Sequence, residues 1–299
     1  MYMQINSALR TDRMCKALTG LKVIEFKNLV PDFSWNYNEF ESKKKKERER
    51  KIGGGRNSKI ETIEEKLFYV LWYLKTYPTF DLASFQVGFA RSSACYWLHN
   101  LLPVLEQTMK RKFVLPQRKI SDPKEYFKLF PEAREVFVDA VERLRQRPTN
   151  KKHQNKTYSG KKKAHTRKSV VVTDKKRRIL VVTKQKSGRR HDKKLADKNS
   201  VFEMIPQEIP VYADTGFIGA QRVHSNIYIP KKKSKKRPLT FDEKETNKLI
   251  SSYRVVVEHA IGGIKRLRCM SEKLRNRRAF VDDQFILLAS GLWNYHLSS

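Results

Sequence analysis

The sequence predicts an α/β domain with a mixed sheet, preceded by an all-helical region. In the first half of the 299 residues, apolar side chains recur at helical spacing. The second half contains β-branched runs, and SVVVTDKKRRILVVTK has the form of two strands about a charged turn. Strand, hairpin, helix, strand and helix in this order are typical of a mixed sheet. We expect a helical domain at 1–120 and an α/β domain at 121–299, because VLPQRKISDP breaks the helical pattern.

The composition points to a polyanionic partner. There are 64 Lys and Arg residues against 31 Asp and Glu residues, a net charge of +33, and 39% of the residues are hydrophobic. The apolar fraction is enough for a folded core, while a surface this cationic is best explained by binding phosphates. Nucleic acid is the first candidate, and an anionic membrane surface is a distant second.

Several classes of protein are not indicated. No apolar run approaches the roughly 20 residues of a membrane span, and the N-terminal residues lack the apolar core of a signal peptide. Cys15, Cys95 and Cys269 are too far apart for a zinc finger or a disulfide framework. We therefore expect an intracellular protein without a membrane partner.

The chain before residue 57 contains an amphipathic segment, a charge run and a glycine-rich arm. Residues 7–40 favour helix, with Pro31 as a break. Residues 41–51 form a solvated charge run that is either helical or flexible. The glycines of GGGR would let Arg56 enter a narrow DNA groove, although a plain linker explains them equally well.

Residues from about 60 to 110 have the layout of a helix-turn-helix. A helix ends before Pro78, a short helix follows with Gly88 in the turn, and a third helix is expected to begin with a Ser cap at Ser92. In this layout the start of the last helix faces base edges. The residues expected to face DNA are Arg91, Ser92, Ser93 and Tyr96. A purely structural three-helix bundle has the same pattern, and the excess positive charge favours DNA.

The elements of the second half follow in a clear order. REVFVDAVERL predicts a strand, and the hairpin comes next, with Asp174 as a turn former. GRRHDKKLAD opens a helix, and EIPVYADTGF predicts a buried strand ending at Asp214. A basic loop, YIPKKKSKKRPLTFDEKE, leads to the helix SSYRVVVEHAIGGIKRLR, and DDQFILLASGLWNYHL predicts a final helix.

Two acidic residues interrupt apolar strands, where a charge is costly unless it is paired or bound to a metal. Asp139 alone could turn outward at the strand end, and Asp214 alone could cap the turn before Gly216. Together with Glu258 on a helix, they offer three hard oxygen ligands, which suit Mg²⁺. Two such ions about 4 Å apart would serve phosphodiester chemistry. Glu142 is close enough in sequence to Asp139 to be a rival ligand.

The predicted helix at 251–268 carries a row of charges on one face. Glu258 is four positions after Arg254 and Lys265 is seven positions after Glu258, so one carboxylate lies between two cations on one helix face. In this row the acid can hold a metal ion while its neighbours hold phosphates. An ordinary surface helix with ion pairs one turn apart shows the same spacing.

The second half resembles the DDE transposases of bacterial insertion sequences, in particular the insertion sequence five group, whose core is similar to RNase H. Arg254, Glu258 and Lys265 match the family's pattern of Arg, three residues, Glu, six residues and Lys. The segments that carry the resemblance are FVDAVE, YSGKKKAHTRKSVVV, GRRHD, YADTGF and RVVVEHAIGGIKRLR. Two departures concern Ser251, where the family usually has Tyr, and Asp139-Ala140-Val141, where it often has Asp-Gly-Thr.

The resemblance implies a DNA transposase. Asp139, Asp214 and Glu258 would bind two Mg²⁺ ions, for which Mn²⁺ could substitute, and Arg254 and Lys265 would hold DNA phosphates. Water would cleave the strand at a transposon end, and the freed 3′-hydroxyl would attack target DNA.

The implied partners are double-stranded DNA, as transposon ends and target, and a second copy of the chain, with no small-molecule substrate. The implied location is the nucleoid in the bacterial cytoplasm. The alternatives are an inactive DNA-binding derivative and a nuclease without strand transfer. His191 and Asp192 are possible supporting groups, although a helix-capping Asp beside an exposed His is the favoured interpretation.

Overall fold

The computed structural model describes residues 4–46, 59–234 and 237–298. The chain forms two compact units. The helical unit contains Met1–Leu115, Lys265–Glu272 and Asn294–Ser299, and the sheet unit contains Pro116–Ile264 and Lys273–Trp293. Two short C-terminal segments thus belong to the helical unit, whereas the predicted domains were divided only at residue 120.

The helices, in chain order, are α1 (Ile5–Ala8), α2 (Asp12–Thr19), α3 (Val23–Lys46), α4 (Ile63–Thr76), α5 (Phe80–Val87), α6 (Arg91–Arg111), α7 (Pro123–Leu129), α8 (Lys151–Thr157), α9 (Asp192–Lys198), α10 (Phe241–Lys265), α11 (Arg268–Ser271) and α12 (Val281–Leu297). The strands are β1 (Val136–Leu144), β2 (Tyr158–Ser159), β3 (Ala164–Asp174), β4 (Ile179–Val182), β5 (Lys186–Ser187), β6 (Val211–Ala213) and β7 (Ile227–Tyr228). Among the described helices, none is both long and apolar enough to cross a membrane.

Helix α3 runs through Pro31, so the predicted break there is wrong. A proline inside a helix removes one backbone hydrogen bond and costs about 3 kcal/mol. Around it, Phe26, Leu29 and Phe33 are fully buried. Because burying three such side chains contributes roughly 1.5–3 kcal/mol each, packing outweighs the local cost.

The helices α4, α5 and α6 form the predicted helix-turn-helix layout. Thr62 and Glu65 form a capping box at the start of α4, and Gly88 ends α5 in the left-handed region at φ +79°. The predicted Ser cap of α6 is wrong: the helix begins at Arg91, and its N-cap residue is Ala90. The Tyr69 hydroxyl donates to the Ala94 carbonyl at 2.8 Å, which joins α4 to α6.

The sheet has β1 at its centre. On one side β1 pairs antiparallel with β3, which pairs antiparallel with β4 and β5 and, near its start, with β2. On the other side β1 pairs parallel with β6, and β6 pairs parallel with β7. The predicted strand, hairpin and strand are therefore confirmed, as is the mixed sheet. The strand β7 was not predicted, because two residues are too few to show alternation.

The two faces of the sheet differ. Val136 and Val138 point into an apolar core with Val170, Val172 and residues of α9. Successive side chains of a strand alternate between faces, so Phe137 and Asp139 lie on the opposite face. The helix α10 contributes buried residues of its own, among them Val257 and Ile264. The candidate acids thus lie on the face that the apolar core leaves free.

Candidate functional site

Asp139 and Asp214 converge on one guanidinium group. The register pairs Val138 with Ala213, so the residues that follow them, Asp139 and Asp214, are neighbours at the carboxyl ends of parallel strands. Arg254 of α10 lies 3.4 Å from the Asp139 carboxylate and 3.5 Å from that of Asp214. Two carboxylates that are 75 residues apart therefore share a single cation.

An aromatic stack places α10 over these strands. Phe137, Tyr212 and Tyr228 occupy neighbouring positions on β1, β6 and β7, with ring centroids 5.3 and 5.2 Å apart. Tyr253 of α10 stacks on Tyr212 at 5.2 Å with an interplanar angle of 4°. Because Arg254 is the next residue, this stack fixes the helix where its guanidinium reaches both aspartates. The aromatic ring of this helix segment is therefore that of Tyr253, two residues after Ser251.

Burial and charge act against each other at Asp139. Burial is the largest effect and raises the pKa of the Asp139 carboxyl. A hydrogen bond from its neighbour's backbone N–H and the charge of Arg254 lower this pKa, whereas the charges of Asp214 and Asp192 raise it. Arg254 therefore compensates for the desolvation and mutual repulsion of the acids.

Asp214 also shapes the turn that follows β6. Its carboxylate accepts a hydrogen bond of 2.7 Å from the Thr215 N–H and caps the 3₁₀ turn at Thr215–Phe217. Asp214 therefore caps the turn before Gly216, as considered from the sequence, and also contacts Arg254. One side chain can do both, because a carboxylate has two oxygens with several lone pairs.

Asp192 is close enough to Asp139 for its charge to raise the pKa of that carboxyl. It lies at the first position of α9, and the N-cap residue is His191, which makes no side-chain cap bond. The expectation that Asp192 caps the helix is therefore wrong. Its carboxylate pairs with Lys168 at 2.9 Å, and a side chain at Gly216 would come within 2.7 Å of its other oxygen.

For Asp192, a helix cap was favoured over the role of a supporting group. The signal was an isolated acid in the otherwise cationic segment GRRHDKK. Because the partner of Asp192, Lys168, lies on a distant strand, the sequence alone could not show the pairing.

Glu142 is engaged elsewhere. It accepts a short hydrogen bond from the Thr166 hydroxyl and lies 3.8 Å from the Lys168 ammonium. Glu142 is three residues from Asp139 on β1, so the strand alternation turns the two side chains to opposite faces. This arrangement does not support Glu142 as a rival ligand.

Glu258 and Lys265 lie farther along α10, and both are exposed. Glu258 is one helical turn beyond Arg254, so it shares the helix face that Arg254 turns toward the aspartates. Among the described residues, Glu258 is not grouped with Asp139 and Asp214 closely enough for the three acids to hold a metal ion together. Lys265 is the last residue of α10.

The donor set can be compared with what a divalent cation requires. The carboxylates of Asp139 and Asp214 fit such an ion, because they already share the cation Arg254 and offer hard oxygen donors. Across the described parts of the chain, no three acidic, histidine or cysteine side chains are grouped closely enough to hold a metal ion. The structure therefore brings two of the three expected carboxylates together on one cationic side chain, Arg254.

The helix-turn-helix presents polar groups at the start of α6. Arg91, Ser92 and Tyr96 are exposed, while Ser93 is half-buried because it borders the buried Ala94. Arg91 pairs with Asp81 at 3.1 Å on an exposed surface, where such a pair contributes little to stability. Arg56, the remaining predicted DNA contact, lies outside the described residues.

Comparisons with known proteins agree with both halves of this description. Residues 138–294 match the family model described as DDE superfamily endonuclease, and residues 58–111 match the helix-turn-helix of DDE superfamily endonuclease. A protein described as a probable transposase for insertion sequence element IS702, from Microchaete diplosiphon, is 30% identical over 254 residues, which cover 85% of this chain and 87% of that protein. No solved structure matches. The predicted fold class and family are thereby confirmed: the chain belongs to the DDE superfamily endonucleases and carries their helix-turn-helix.

Proposed function

We propose that this chain is a transposase that cuts DNA at the ends of its element and joins the freed 3′-hydroxyl to target DNA. The observation that carries this proposal is the convergence of Asp139 and Asp214 on one cation at the carboxyl ends of β1 and β6. The similarity to a probable transposase along most of both chains supports it.

Asp139, Asp214 and Glu258 are the proposed ligands of two Mg²⁺ ions, for which Mn²⁺ can substitute. When bound, such ions activate a water nucleophile and stabilise the leaving oxygen of a phosphodiester. The position of Glu258, on the helix face that carries Arg254, supports its assignment as the third ligand. Asp192 and Lys168 would hold the neighbouring charges in place.

Arg254 would exchange its partners when DNA binds. A phosphate offers the planar guanidinium two oxygens for a bidentate contact, which competes with the long contacts of 3.4 and 3.5 Å to the two carboxylates. Moving to the phosphate would free Asp139 and Asp214. We propose that Lys265, at the end of the same helix, holds a second phosphate. Positioning and charge neutralisation, without a covalent enzyme intermediate, would then account for the catalysis.

The helix-turn-helix would bind the ends of the element as double-stranded DNA. Arg91, Ser92, Ser93 and Tyr96 at the start of α6 are the proposed contacts to DNA, in the position that recognition helices use for base edges. Arg56 remains a predicted contact of the preceding arm. Because two ends must be processed together, we propose a homodimer, which would act on the nucleoid in the bacterial cytoplasm.

A single assay tests this function. The donor is labelled DNA that includes the sequences flanking the coding region on both sides, and it is incubated with the protein, a target plasmid and Mg²⁺. Label joined to the plasmid is the result we expect. Cleavage without joining would show a nuclease instead, and a mobility shift without cleavage would show a DNA-binding protein that has lost activity.

A further inference from the structure

A basic groove lies in the sheet unit, apart from the acids described above. Its cavity has a volume of about 320 Å³. Six cationic side chains and two acidic ones line it, together with Phe280. The cations are Arg145, Arg167, Lys184, Lys186, Arg277 and Arg278. The volume is at the lower end of the range for small-molecule and nucleotide-sized sites.

The two acids of the groove are already neutralised. Asp282 pairs with Arg167 at 2.7 Å, and Asp283 pairs with Arg118 at 3.1 Å. Among the described residues, no carboxylate lies within ion-pair distance of Lys184, Lys186, Arg277 or Arg278. The groove therefore has an excess of positive charge that the fold itself does not use, and its ligand should be anionic.

Phe280 is an unusual residue for this position. Its side chain is 80% exposed, and its backbone has φ +67°, in the left-handed region that disfavours bulky residues. Neither packing nor backbone preference explains a phenylalanine there. An exposed ring among cations is the combination that proteins use to bind single-stranded nucleic acid, because bases stack on the ring while cations hold the phosphates.

The position of the groove along β1 gives its distance from the acids. Arg145 directly follows the end of β1, six residues beyond Asp139. At about 3.3 Å per residue, this separation is about 20 Å along the strand. A strand of duplex DNA rises 3.4 Å per nucleotide, so about six base pairs span this distance.

We propose that this groove binds an unpaired segment of a DNA strand, with one base stacked on Phe280 and the phosphates held by Lys184, Lys186, Arg277 and Arg278. The choice of DNA rests on the proposed function. A paired base inside a duplex is stacked on both faces, so it has no face to offer Phe280. The groove therefore favours an unpaired strand over a duplex.

The test uses equilibrium binding without any divalent metal. The probes are a mixed-sequence 16-nucleotide single strand that contains 2-aminopurine, and the blunt duplex of the same sequence. The variants are Phe280→Gly, which relieves the left-handed backbone while it removes the ring, and Phe280→Trp, which keeps a ring. Phe241→Ala is the matched control, because Phe241 is 76% exposed and lies outside the groove.

We expect Phe280→Gly to weaken single-strand binding at least about fivefold and to abolish the quenching of 2-aminopurine, with duplex binding unchanged. Phe280→Trp should retain both signals, and Phe241→Ala should match the wild type. Equal single-strand affinity and quenching in Phe280→Gly and wild type would overturn the proposal. Because no cleavage is measured, the result is independent of whether the protein joins DNA strands.

Discussion

Arg254 contacts two carboxylates whose proposed role is to hold a different cation. Its guanidinium lies between Asp139 and Asp214 and offsets the burial that raises the pKa of Asp139. The same side chain thus neutralises part of the acidic charge without DNA and is a candidate phosphate contact with DNA.

Substituting Arg254 should therefore have opposite effects on metal binding and on DNA cleavage. We expect Arg254→Ala to raise the affinity for Mn²⁺ in the absence of DNA by about tenfold, since hydrogen bonds to charged groups contribute roughly 1.5–3 kcal/mol. Cleavage should fall in the same variant, because a phosphate contact is lost. Calorimetric titration with Mn²⁺ measures the first effect. Unchanged or weaker Mn²⁺ binding would show that Arg254 does not compete with the metal.

Substituting Asp192 tests whether its charge acts on Asp139. Its charge raises the pKa of Asp139, so Asp192→Asn should lower that pKa and move the acid limb of the cleavage pH profile to lower pH. We also expect cleavage at neutral pH to fall by about tenfold, because Lys168 loses its 2.9 Å partner. The pH–rate profile of DNA cleavage measures both.

Asp197→Asn is the control for this substitution. Asp197 lies on the same helix, α9, and pairs with Lys193 at its surface. If both variants shift the profile equally, Asp192 has no particular connection to Asp139.

The sequence predicted the acids better than their partners. Asp139 and Asp214 could be singled out because each interrupts an apolar run. The contact of both acids with Arg254 could not be predicted from the sequence. It depends on the register of β1 with β6 and on the stacking of Tyr253 on Tyr212. Charge patterns along a chain show which groups need partners, and only the fold shows which partners they obtain.

At the scale of elements, α10 is the part of the fold on which the candidate site most depends. It carries Arg254 and Glu258, and two adjacent glycines follow one turn later. A side chain at Gly263 would clash with the ring of Trp293, whereas one at Gly262 would meet nothing within 4 Å. Close packing against Trp293 therefore requires Gly263 but not Gly262.

The two glycines form a matched pair for measuring this packing. Gly263→Ala should lower the free energy of unfolding by about 1–3 kcal/mol, because the methyl group overpacks the contact. Gly262→Ala should raise it by up to about 1 kcal/mol, since alanine favours helix. Urea unfolding followed by circular dichroism measures both. A stabilising effect of Gly263→Ala would contradict the described packing of α10 on Trp293.

Most elements could be predicted because their patterns are local. The strand at β1, the hairpin β3–β4 and the final helix α12 all follow from apolar periodicity and turn residues. At Pro31, the local preference for breaking a helix was weaker than the packing of the neighbouring side chains. At the start of α6, Ala90 occupies the N-cap position without a side-chain hydrogen bond, although two serines follow closely. The strand β7 exists only because β6 is beside it.

For the whole molecule, the charge of +33 predicts how DNA binding depends on salt. We expect the affinity for duplex DNA to fall by roughly 10³-fold or more between 50 and 200 mM salt, as for proteins that neutralise several phosphates. Arg277→Gln combined with Arg278→Gln should reduce the slope for single strands by about 1.4, since each phosphate contact contributes about 0.7. Fluorescence anisotropy at several salt concentrations measures these slopes. An affinity that does not change with salt would exclude phosphate contacts as its source.

Composition therefore predicted the partner class, but sequence order did not predict which segments fold together. Residues 265–272 and 294–299 belong to the helical unit although they lie far from it in the chain. A boundary inferred from a change of pattern assumes that neighbours in sequence are neighbours in space.

The central claim is that Asp139, Asp214 and Glu258 bind the metal ions that cleave DNA. Its most direct test replaces each acid in turn by cysteine and measures cleavage of the labelled donor DNA with Mg²⁺ and with Mn²⁺. A thiolate is a poor ligand for the hard Mg²⁺, and Mn²⁺ tolerates sulfur better. We predict that each variant binds DNA but is inactive with Mg²⁺, and that Mn²⁺ restores part of its cleavage. Full activity with Mg²⁺ in any of the three variants would contradict the assignment of that residue as a ligand.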